Sequence, residues 1–195
     1  MKTIKKTSLL ILFLGITLVS CNKDDSPSPT VYPEENFLPS LLSSNGLSET
    51  TPVINDSQYE IGISFKPKVN GKINAIVIKI PDVQSAVRVT IWDKQTATVI
   101  KTEFIDCNSA GVEYSKVISD LNVTKDKEYL ISMNTNDYFI HKKLDNSSFT
   151  YPIISNNITI TGSYSLLGAL QTMPTAANPL IFFVGDLSFN FKQTE

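Results

Sequence analysis

Cys21 is the residue of this sequence whose chemistry its surroundings define most clearly. It ends the run Leu-Val-Ser-Cys, behind a basic segment with three lysines and an uncharged apolar stretch over residues 8–20. That stretch is shorter than the roughly 20 apolar residues that a membrane-spanning helix needs. The pattern is typical of an exported bacterial lipoprotein, in which the cysteine sulfur takes a diacylglycerol and the leader is cut before it. We therefore expect residues 1–20 to be a signal peptide and Cys21 to be the lipidated residue.

The lipid on Cys21 makes the membrane the first expected partner. Two or three acyl chains hold a protein on a bilayer far more firmly than a single chain, whose binding is marginal. The next residues, Asn-Lys-Asp-Asp, are similar to the signal that sends lipoproteins of some Gram-negative bacteria to the outer face of the outer membrane. The alternative interpretation is the charged start of a solvated linker. We expect an outer-membrane, lipid-anchored protein displayed on the cell surface.

The remaining sequence offers little for covalent catalysis. His141 is the sole histidine, and Cys107 is the only cysteine besides Cys21. A cysteine nucleophile would need a histidine beside it, and a zinc site needs three or four good ligands, which one histidine and one cysteine do not supply. We therefore predict no enzyme, no catalytic residue, no metal site and no cofactor. Cys107 is predicted to be a small buried apolar residue, and His141 to lie on the surface or on an edge strand.

Carboxylates keep one enzymatic alternative open, because glycoside hydrolysis needs only two of them. The aspartates, however, fall mostly at the ends of predicted strands, where this side chain commonly binds turn backbone. The same positions argue against a calcium site, because calcium needs six to eight oxygen ligands and these aspartates are better explained by turns. The aspartates in question are Asp82, Asp93, Asp106, Asp120, Asp126, Asp137, Asp145 and Asp186.

Aromatic side chains supply the remaining candidates, since sugar rings stack on exposed aromatic faces while amides and carboxylates bind their hydroxyls. Tyr138, Tyr151 and Tyr164 lie in an asparagine-rich part of the chain, so we predict a ligand surface there. The alternative is a row of tyrosines that covers a sheet edge. Trp92 ends an apolar strand, which favours a place in the core or at its rim.

Composition limits the classes of partner. The formal net charge of −2 becomes −5 once Lys2, Lys5 and Lys6 are lost with the leader. No basic stripe is present to neutralise phosphates, which argues against nucleic acid. Residues 21–36 are rich in proline and serine and predict a flexible linker after the lipid, and residues 37–195 suit a single domain with a sizeable core.

Period-two patterns dominate that domain. Residues 60–65 and 86–92 alternate apolar with other side chains, and residues 73–80 are almost continuously apolar, as in a strand covered on both faces. The Asn70-Gly71 pair predicts a hairpin, and residues 93–96 predict another. About ten strands, with no competing long helix, predict an all-β fold: a two-layer antiparallel β-sandwich of the jelly-roll kind. Residues 37–42 could form a helical turn or a strand.

Several of these segments resemble, in order, the bacterial domain of unknown function 4082. The similar segments are Tyr-Glu-Ile-Gly-Ile-Ser-Phe at 59–65, the glycine turn and strand at 70–76, Val-Arg-Val-Thr-Ile-Trp-Asp at 87–93, the strand opening at 124–132 and the closing strand at 184–189. The resemblance spans residues 37–192. It implies a β-sandwich found in exported and surface proteins, often beside adhesive or carbohydrate-active modules.

These observations predict a surface lipoprotein whose β-sandwich is a non-catalytic binding module. The expected ligand is a glycan or a partner in an outer-membrane uptake complex. The alternative is a structural or adhesive subunit that presents sheet edges to other proteins. A glycoside hydrolase built on two carboxylates is the third hypothesis.

Overall fold

The computed structural model describes residues 30–195, in which Tyr32–Glu195 form one compact unit. The predicted signal peptide, Cys21 and most of the predicted linker lie outside the described residues. The unit contains one short helix, α1 (Phe37–Ser44). Its strands are β1 (Glu34–Asn36), β2 (Glu49–Val53), β3 (Tyr59–Pro67), β4 (Gly71–Lys79), β5 (Gln84–Asp93), β6 (Thr98–Cys107), β7 (Glu113–Val123), β8 (Tyr129–Thr135), β9 (Tyr138–Lys142), β10 (Ile153–Ser155), β11 (Ile158–Leu167), β12 (Ala176–Ala177), β13 (Phe183–Val184) and β14 (Asp186–Gln193).

The strands form an antiparallel sandwich, as the alternating patterns predict. One sheet has the order β1-β14-β4-β7, and the larger sheet has the order β10-β11-β3-β8-β5-β6 with β12 added at β11. A third, small sheet has the order β13-β9-β2. The prediction of an all-β sandwich is therefore confirmed, and the small sheet is an addition to the two expected layers.

The core lies where the apolar faces of the two larger sheets meet. Phe65 of β3 packs on Phe189 of β14 with ring centroids 4.6 Å apart, and it stacks on Tyr129 at 5.6 Å. Most strands contribute every second residue because successive side chains of a strand point to opposite faces, and an irregularity in β4 between Ile73 and Ala75 shifts this alternation by one residue. Fully buried members of this core include Ile63, Ile73, Ile76, Ile78, Val87, Val89, Ile91, Ile131, Met133 and Phe191.

The Asn70-Gly71 turn does not make the predicted hairpin. β3 pairs with β8 and β11, whereas β4 pairs with β14 and β7, so the turn carries the chain from one sheet to the other. Gly71 is needed there for another reason: a Cβ atom on it would meet the Phe191 ring and would lie 2.7 Å from the Lys192 carbonyl oxygen. By contrast, the predicted hairpin across residues 93–96 is confirmed by the pairing of β5 with β6.

The chain enters the sandwich through β1, the last three residues of the predicted linker, which pairs with β14. Asn36 then caps α1, because its side chain accepts a hydrogen bond from Leu38 N at 3.1 Å. Phe37, Leu38 and Leu41 are buried, so the helix covers one edge of the core. Within residues 30–195 no helix has the length and hydropathy to cross a membrane.

Candidate functional site

Tyr138 begins β9, the middle strand of the small sheet. Its ring packs edge-on against Tyr59 with centroids 6.1 Å apart. Burial raises the pKa of its hydroxyl, and the neighbouring Tyr59 adds to the effect. The ring is half-buried and packs against the core, so only part of its surface is open to a ligand.

Tyr151 lies just before β10 and is more deeply packed. Its ring meets Phe149 edge-on at 5.5 Å, and both rings pack on the core. Burial strongly raises the pKa of the Tyr151 hydroxyl, which therefore stays neutral at any physiological pH. This placement is typical of a tyrosine that fills space beneath a loop.

Tyr164, on β11, is held by the charged residue Lys94. The Lys94 ammonium donates to the Tyr164 hydroxyl at 2.8 Å and lies 4.6 Å from the ring centroid. A Cβ atom added to Gly162 would come within 2.9 Å of the same ring, so the ring also rests on that glycine. Among residues 30–195, no aromatic contact joins any two of Tyr138, Tyr151 and Tyr164. Each tyrosine packs against different neighbours, and a shared tyrosine surface stays a prediction.

Trp92 is buried, with 3% of its surface exposed, as its place at the end of an apolar strand predicts. Its indole N–H donates to Ser132 Oγ at 2.9 Å on the face of the larger sheet that points away from the core. Residues 168–171 cross this face: Asn134 donates to the Gly168 carbonyl at 2.9 Å, and Gln171 Nε2 donates to Thr90 Oγ1 at 3.1 Å. The tryptophan is therefore not an open platform for a sugar.

His141 contradicts its prediction, since it is neither at the surface nor on an edge strand. Only 4% of the residue is exposed, and β9 lies between β13 and β2. One ring nitrogen, Nε2, pairs with Asp186 Oδ1 on β14, and the other, Nδ1, lies 3.1 Å from Thr50 Oγ1. Thr50 sits directly opposite His141 in the register of β2 with β9. The alternating sequence around His141 could not show this, because the burial comes from strands distant in the chain.

A pocket of about 310 Å³ opens beside this pair, and we call it the helix pocket. One wall is apolar and comes from α1 together with Leu47, which follows the turn at the end of the helix. The other wall is polar and comes from the outward face of the four-stranded sheet together with β2 and β9. The apolar wall contains Leu38, Pro39, Leu42 and Leu47, and the polar wall contains Thr50, Lys79, Glu113, His141, Asp186 and Ser188.

Three charged residues of the polar wall form one row across the sheet. Asp186 of β14 pairs with Lys79 of β4, and Lys79 pairs with Glu113 of β7. Residues directly opposite each other project from the same face, and neighbouring strands lie roughly 4.8 Å apart, so the backbones of the two acids are about 10 Å apart. The Lys79 ammonium lies 5.1 Å from the Phe139 ring centroid, which draws it towards β9.

Ser188 is the unusual member of the helix pocket. It follows Asp186 by two residues and so shares its face of β14. The residue is fully buried, yet its Oγ has no hydrogen-bond partner within residues 30–195. Buried hydroxyls in folded proteins nearly always have a partner, and an exception needs an explanation. A bound ligand that supplies a hydrogen bond is one such explanation.

A second concavity, the charged cleft, has a volume of about 430 Å³ and is lined by Lys66, Lys94, Gln95, Asp126, Lys127 and Glu128. Its charges already bind one another: Lys94 donates to Glu128 Oε1 at 3.0 Å, and Lys127 lies 2.8 Å from Asp93. Burial opposes ionisation of Glu128, but hydrogen bonds from Thr161 and Lys94 outweigh it and lower the pKa of the carboxyl. The internal pairing leaves this cleft with less capacity for a ligand than the helix pocket.

Cys107 ends β6 as a free, fully buried thiol, in line with its prediction. Burial, with a smaller contribution from the Asp106 charge, raises the pKa of the thiol to about 11. A thiol with such a pKa is protonated and a poor nucleophile. The histidine that it would need binds Asp186 and Thr50 instead. Within the described residues, no three His, Cys, Asp or Glu side chains lie close enough together to hold a metal ion.

The fold and the helix pocket together define an antiparallel β-sandwich module that carries a ligand-sized amphipathic pocket beside its helix. Residues 48–179 match the family described as "Domain of unknown function (DUF4082)", and the chain belongs to this family. The match ends before β14, so it is shorter than the resemblance expected over residues 37–192. Of the pocket residues, it includes Thr50 and His141 but leaves out Asp186 and Ser188. No curated protein matches the sequence.

Sequence reasoning missed Thr50, Glu113, Asp186 and Ser188 as members of one site. The sequence predicts Asp186 as a turn residue, whereas in the structure its carboxylate pairs with His141. The only signal in the sequence was the polar set Asp186, Ser188 and Asn190, which alternates with the apolar residues of β14. That alternation indicates an outward face but does not show that α1 and β9 cover it.

Proposed function

We propose that this protein is a lipoprotein anchored in the outer membrane through Cys21, and that its β-sandwich binds a glycan at the cell surface without covalent chemistry. The leader-and-cysteine pattern supports the anchor, and the charged residues after Cys21 support surface display. The linker before β1 gives the sandwich reach from the membrane. In this proposal the protein works beside an outer-membrane uptake complex, to which it presents its ligand.

One observation supports ligand binding most directly: the helix pocket places an aliphatic wall opposite a polar wall with an unpaired buried hydroxyl. Small-molecule sites commonly combine apolar lining with a few polar groups that fix orientation. A sugar has the matching character, because its ring carries an apolar C–H face and a rim of hydroxyls. The pocket, rather than the three half-buried tyrosines, is therefore the first place to test.

A glycan array probed with the soluble fragment of residues 22–195 tests the proposal. That fragment keeps the whole compact unit Tyr32–Glu195. We expect specific binding that survives Tyr138→Ala and Tyr164→Ala but weakens with Glu113→Gln. Binding that disappears with the tyrosine variants instead would move the site to the predicted tyrosine surface. An array without any bound glycan would refute glycan binding.

The anchor has its own test, separate from the ligand. Lipidation of Cys21 adds acyl chains and removes the leader, so metabolic labelling with a fatty-acid analogue should label the wild-type protein and not the Cys21→Ser variant. Protease added to intact cells should digest the sandwich if it is displayed outside. Digestion only after the outer membrane is opened would place the protein on the inner leaflet.

The adhesive alternative draws on one specific observation, exposed apolar side chains on two edge strands. Phe104 of β6 is 55% exposed and Val117 of β7 is 82% exposed. Apolar surface at sheet edges is typical of protein contacts. Mass measurement in solution would support this function if the fragment forms oligomers that Phe104→Ser and Val117→Ser dissociate.

The hydrolase alternative draws on the row that carries Asp186 and Glu113. In inverting glycoside hydrolysis the acid and base carboxyl groups lie about 6.5–9.5 Å apart, and the backbones of Asp186 and Glu113 lie about 10 Å apart, which leaves such a separation within reach of the side chains. Release of reducing sugar from a glycan bound on the array, abolished by Glu113→Gln, would establish that function. Glycan that is recovered intact after prolonged incubation supports a binding module.

A further inference from the structure

We propose that the helix pocket holds one terminal pyranose ring of a neutral glycan, with the C–H face of the ring on Leu38 and Leu42 and its hydroxyls directed towards Glu113, Asp186 and Ser188. This inference rests on the proposed function and adds the class of ligand, the number of rings and the residues that bind them.

The size of the pocket indicates a single ring. Its volume of about 310 Å³ lies at the lower end of the range of about 300–1,000 Å³ that small-molecule pockets span. Residues of α1 line one side of the pocket, and a volume of this size suits one ring rather than a chain of sugars. The ring that enters is therefore the end of a glycan, and the rest of the chain extends into solvent.

The polar wall is rich in acceptors, which selects a ligand with donors. Glu113 is exposed to the pocket as a carboxylate, and Asp186 uses only Oδ1 in its pair with His141, which leaves Oδ2 to accept. Both ring nitrogens of His141 are occupied by Asp186 and Thr50. Hydroxyl groups can donate to these oxygens, and hydrogen bonds to charged acceptors are the stronger kind.

The charge of the wall favours a neutral sugar over an acidic one. Two carboxylates face the pocket, and the single ammonium, that of Lys79, is drawn to the Phe139 ring. A uronic acid would bring a third negative charge beside Glu113 and Asp186, which like-charge repulsion opposes. Acidic sugars should accordingly be rejected.

Ser188 is the most completely buried of the polar residues that line the pocket. Its Oγ is buried and unpaired, and it lines the pocket between Asp186 and the apolar floor made by Val77, its register partner on β4. A ligand hydroxyl at this depth would supply the missing hydrogen bond. Such a contact would be favourable, because an unmade buried hydrogen bond costs free energy.

Titration of the 15N-labelled fragment of residues 22–195 with methyl pyranosides of glucose, galactose and mannose tests this inference. We expect at least one to shift the amide resonances of α1 and of Ser188. Glu113→Gln should weaken its binding about tenfold or more, and Ser188→Ala by about three- to tenfold, as expected for loss of a charged and a neutral hydrogen bond.

Two matched controls separate the helix pocket from the rest of the surface. Ser115→Ala makes the same change as Ser188→Ala in an exposed residue of the same cross-strand row, since Ser115 pairs with Val77. Glu128→Gln makes the same change as Glu113→Gln in the charged cleft. Both controls should leave the dissociation constant within about twofold of wild type. Thermal unfolding of every variant checks the fold, and the exposed Glu113 keeps the test valid if Ser188→Ala does not fold.

The outcomes distinguish this inference from the proposed function. Glycans that bind on the array while no methyl pyranoside shifts the pocket resonances would refute the single-ring site and leave the glycan-binding function intact. No binding in either experiment would refute both. Glucuronic acid binding as tightly as glucose would overturn the neutral class, and glucosamine binding much more tightly would assign the pocket to amino sugars instead.

Discussion

The buried pair His141–Asp186 joins the small sheet to the four-stranded sheet, and it sets what each residue can do. The ring of His141 is fixed at both nitrogens, one by Asp186 and one by Thr50. A histidine held in this way is suited to shaping a pocket wall. Because both nitrogens of His141 bind other residues, His141 does not serve as the base that would activate the Cys107 thiol as a nucleophile.

Asp186→Ala tests the structural value of that pair. We expect the free energy of unfolding to fall by about 1–3 kcal/mol, because the His141 ring loses its partner while it stays buried. Urea unfolding followed by circular dichroism measures the change. Thr50→Val serves as the control, since the exposed threonine makes only a neutral, part-buried hydrogen bond to the ring, and a loss there as large as for Asp186→Ala would contradict the assignment.

Cys107 should behave as an inert thiol in the folded protein. The raised pKa, about 11, and the complete burial both suppress reaction with iodoacetamide at pH 8. In a Cys21→Ser background we expect alkylation only after denaturation, as measured by mass spectrometry. Rapid alkylation of the native protein would mean that the end of β6 opens far more easily than its burial indicates.

Among the elements, the turn between β3 and β4 shows how one glycine permits a change of sheet. Gly71 allows the chain to pass against Phe191 and the Lys192 backbone, and any side chain there must displace one of them. The Asn70-Gly71 pair predicts a short connection here correctly, but neither residue has a positive φ and the two flanking strands do not pair with each other. Turn chemistry is local, whereas the choice of sheet depends on which faces the flanking strands bury.

Gly71→Ala should therefore destabilise the sandwich by about 1–3 kcal/mol, the usual cost of forcing an atom into a packed site. Thermal or urea unfolding measures it. Gly111→Asn is the control, because a Cβ atom there meets nothing within 4 Å and asparagine tolerates the positive φ of +67°. Equal losses in both variants would show that the close approach to Phe191 is not the cause.

The hairpin between β5 and β6 carries a pH-dependent contribution. A hydrogen bond from Lys127 and the Thr96 backbone N–H lower the pKa of Asp93 to about 2, from an ordinary value of 3.8. The folded state thus favours the ionised carboxyl, and the stability that this adds is present above about pH 4 and lost as the pH falls towards 2.

Asp93→Asn and Lys127→Met should both reduce the acid sensitivity of the fold. Because each removes one partner of the same pair, we expect their stability deficit relative to wild type to be larger at pH 6 than at pH 2.5. Unfolding midpoints in urea at the two pH values provide the comparison. A constant deficit at both values would contradict a role for this carboxyl in acid unfolding.

For the whole molecule, the proposed arrangement is a lipid at one end of the chain, a linker, and a sandwich that carries the helix pocket. The Cys21→Ser variant tests whether the lipid alone holds the protein on the membrane. We expect the mature protein to leave the membrane fraction and the precursor to keep its leader, visible as a larger species on a gel. Unchanged size and fractionation would refute anchoring through Cys21.

Much of the sandwich could be predicted because apolar and polar residues alternate along the sequence of a half-buried β-strand. The sequence predicts strands over residues 60–65 and 86–92, which fall within β3 and β5, and over residues 73–80, which exceed the end of β4 by one residue. In the small sheet, residues 138–142 and 180–184 are also predicted as strands and contain β9 and β13, whereas β2, Glu-Thr-Thr-Pro-Val, has no apolar alternation and carries a proline, so it is not predicted. The family match ends at residue 179, before β14, although the resemblance was expected to reach residue 192, and β14 supplies two of the pocket residues.

The sequence by itself determined the fold class, the sandwich core and the buried, unpaired state of Cys107, because alternation and composition act locally along the chain. Only the tertiary structure decided that His141 is buried against Asp186 and that the Asn70-Gly71 turn changes sheets. It also decided that Ser188, on an outwardly directed face, lies beneath the wall of a pocket. These features depend on contacts between α1, β9 and β14. Contacts between segments so far apart in the chain produce no periodic pattern in the sequence.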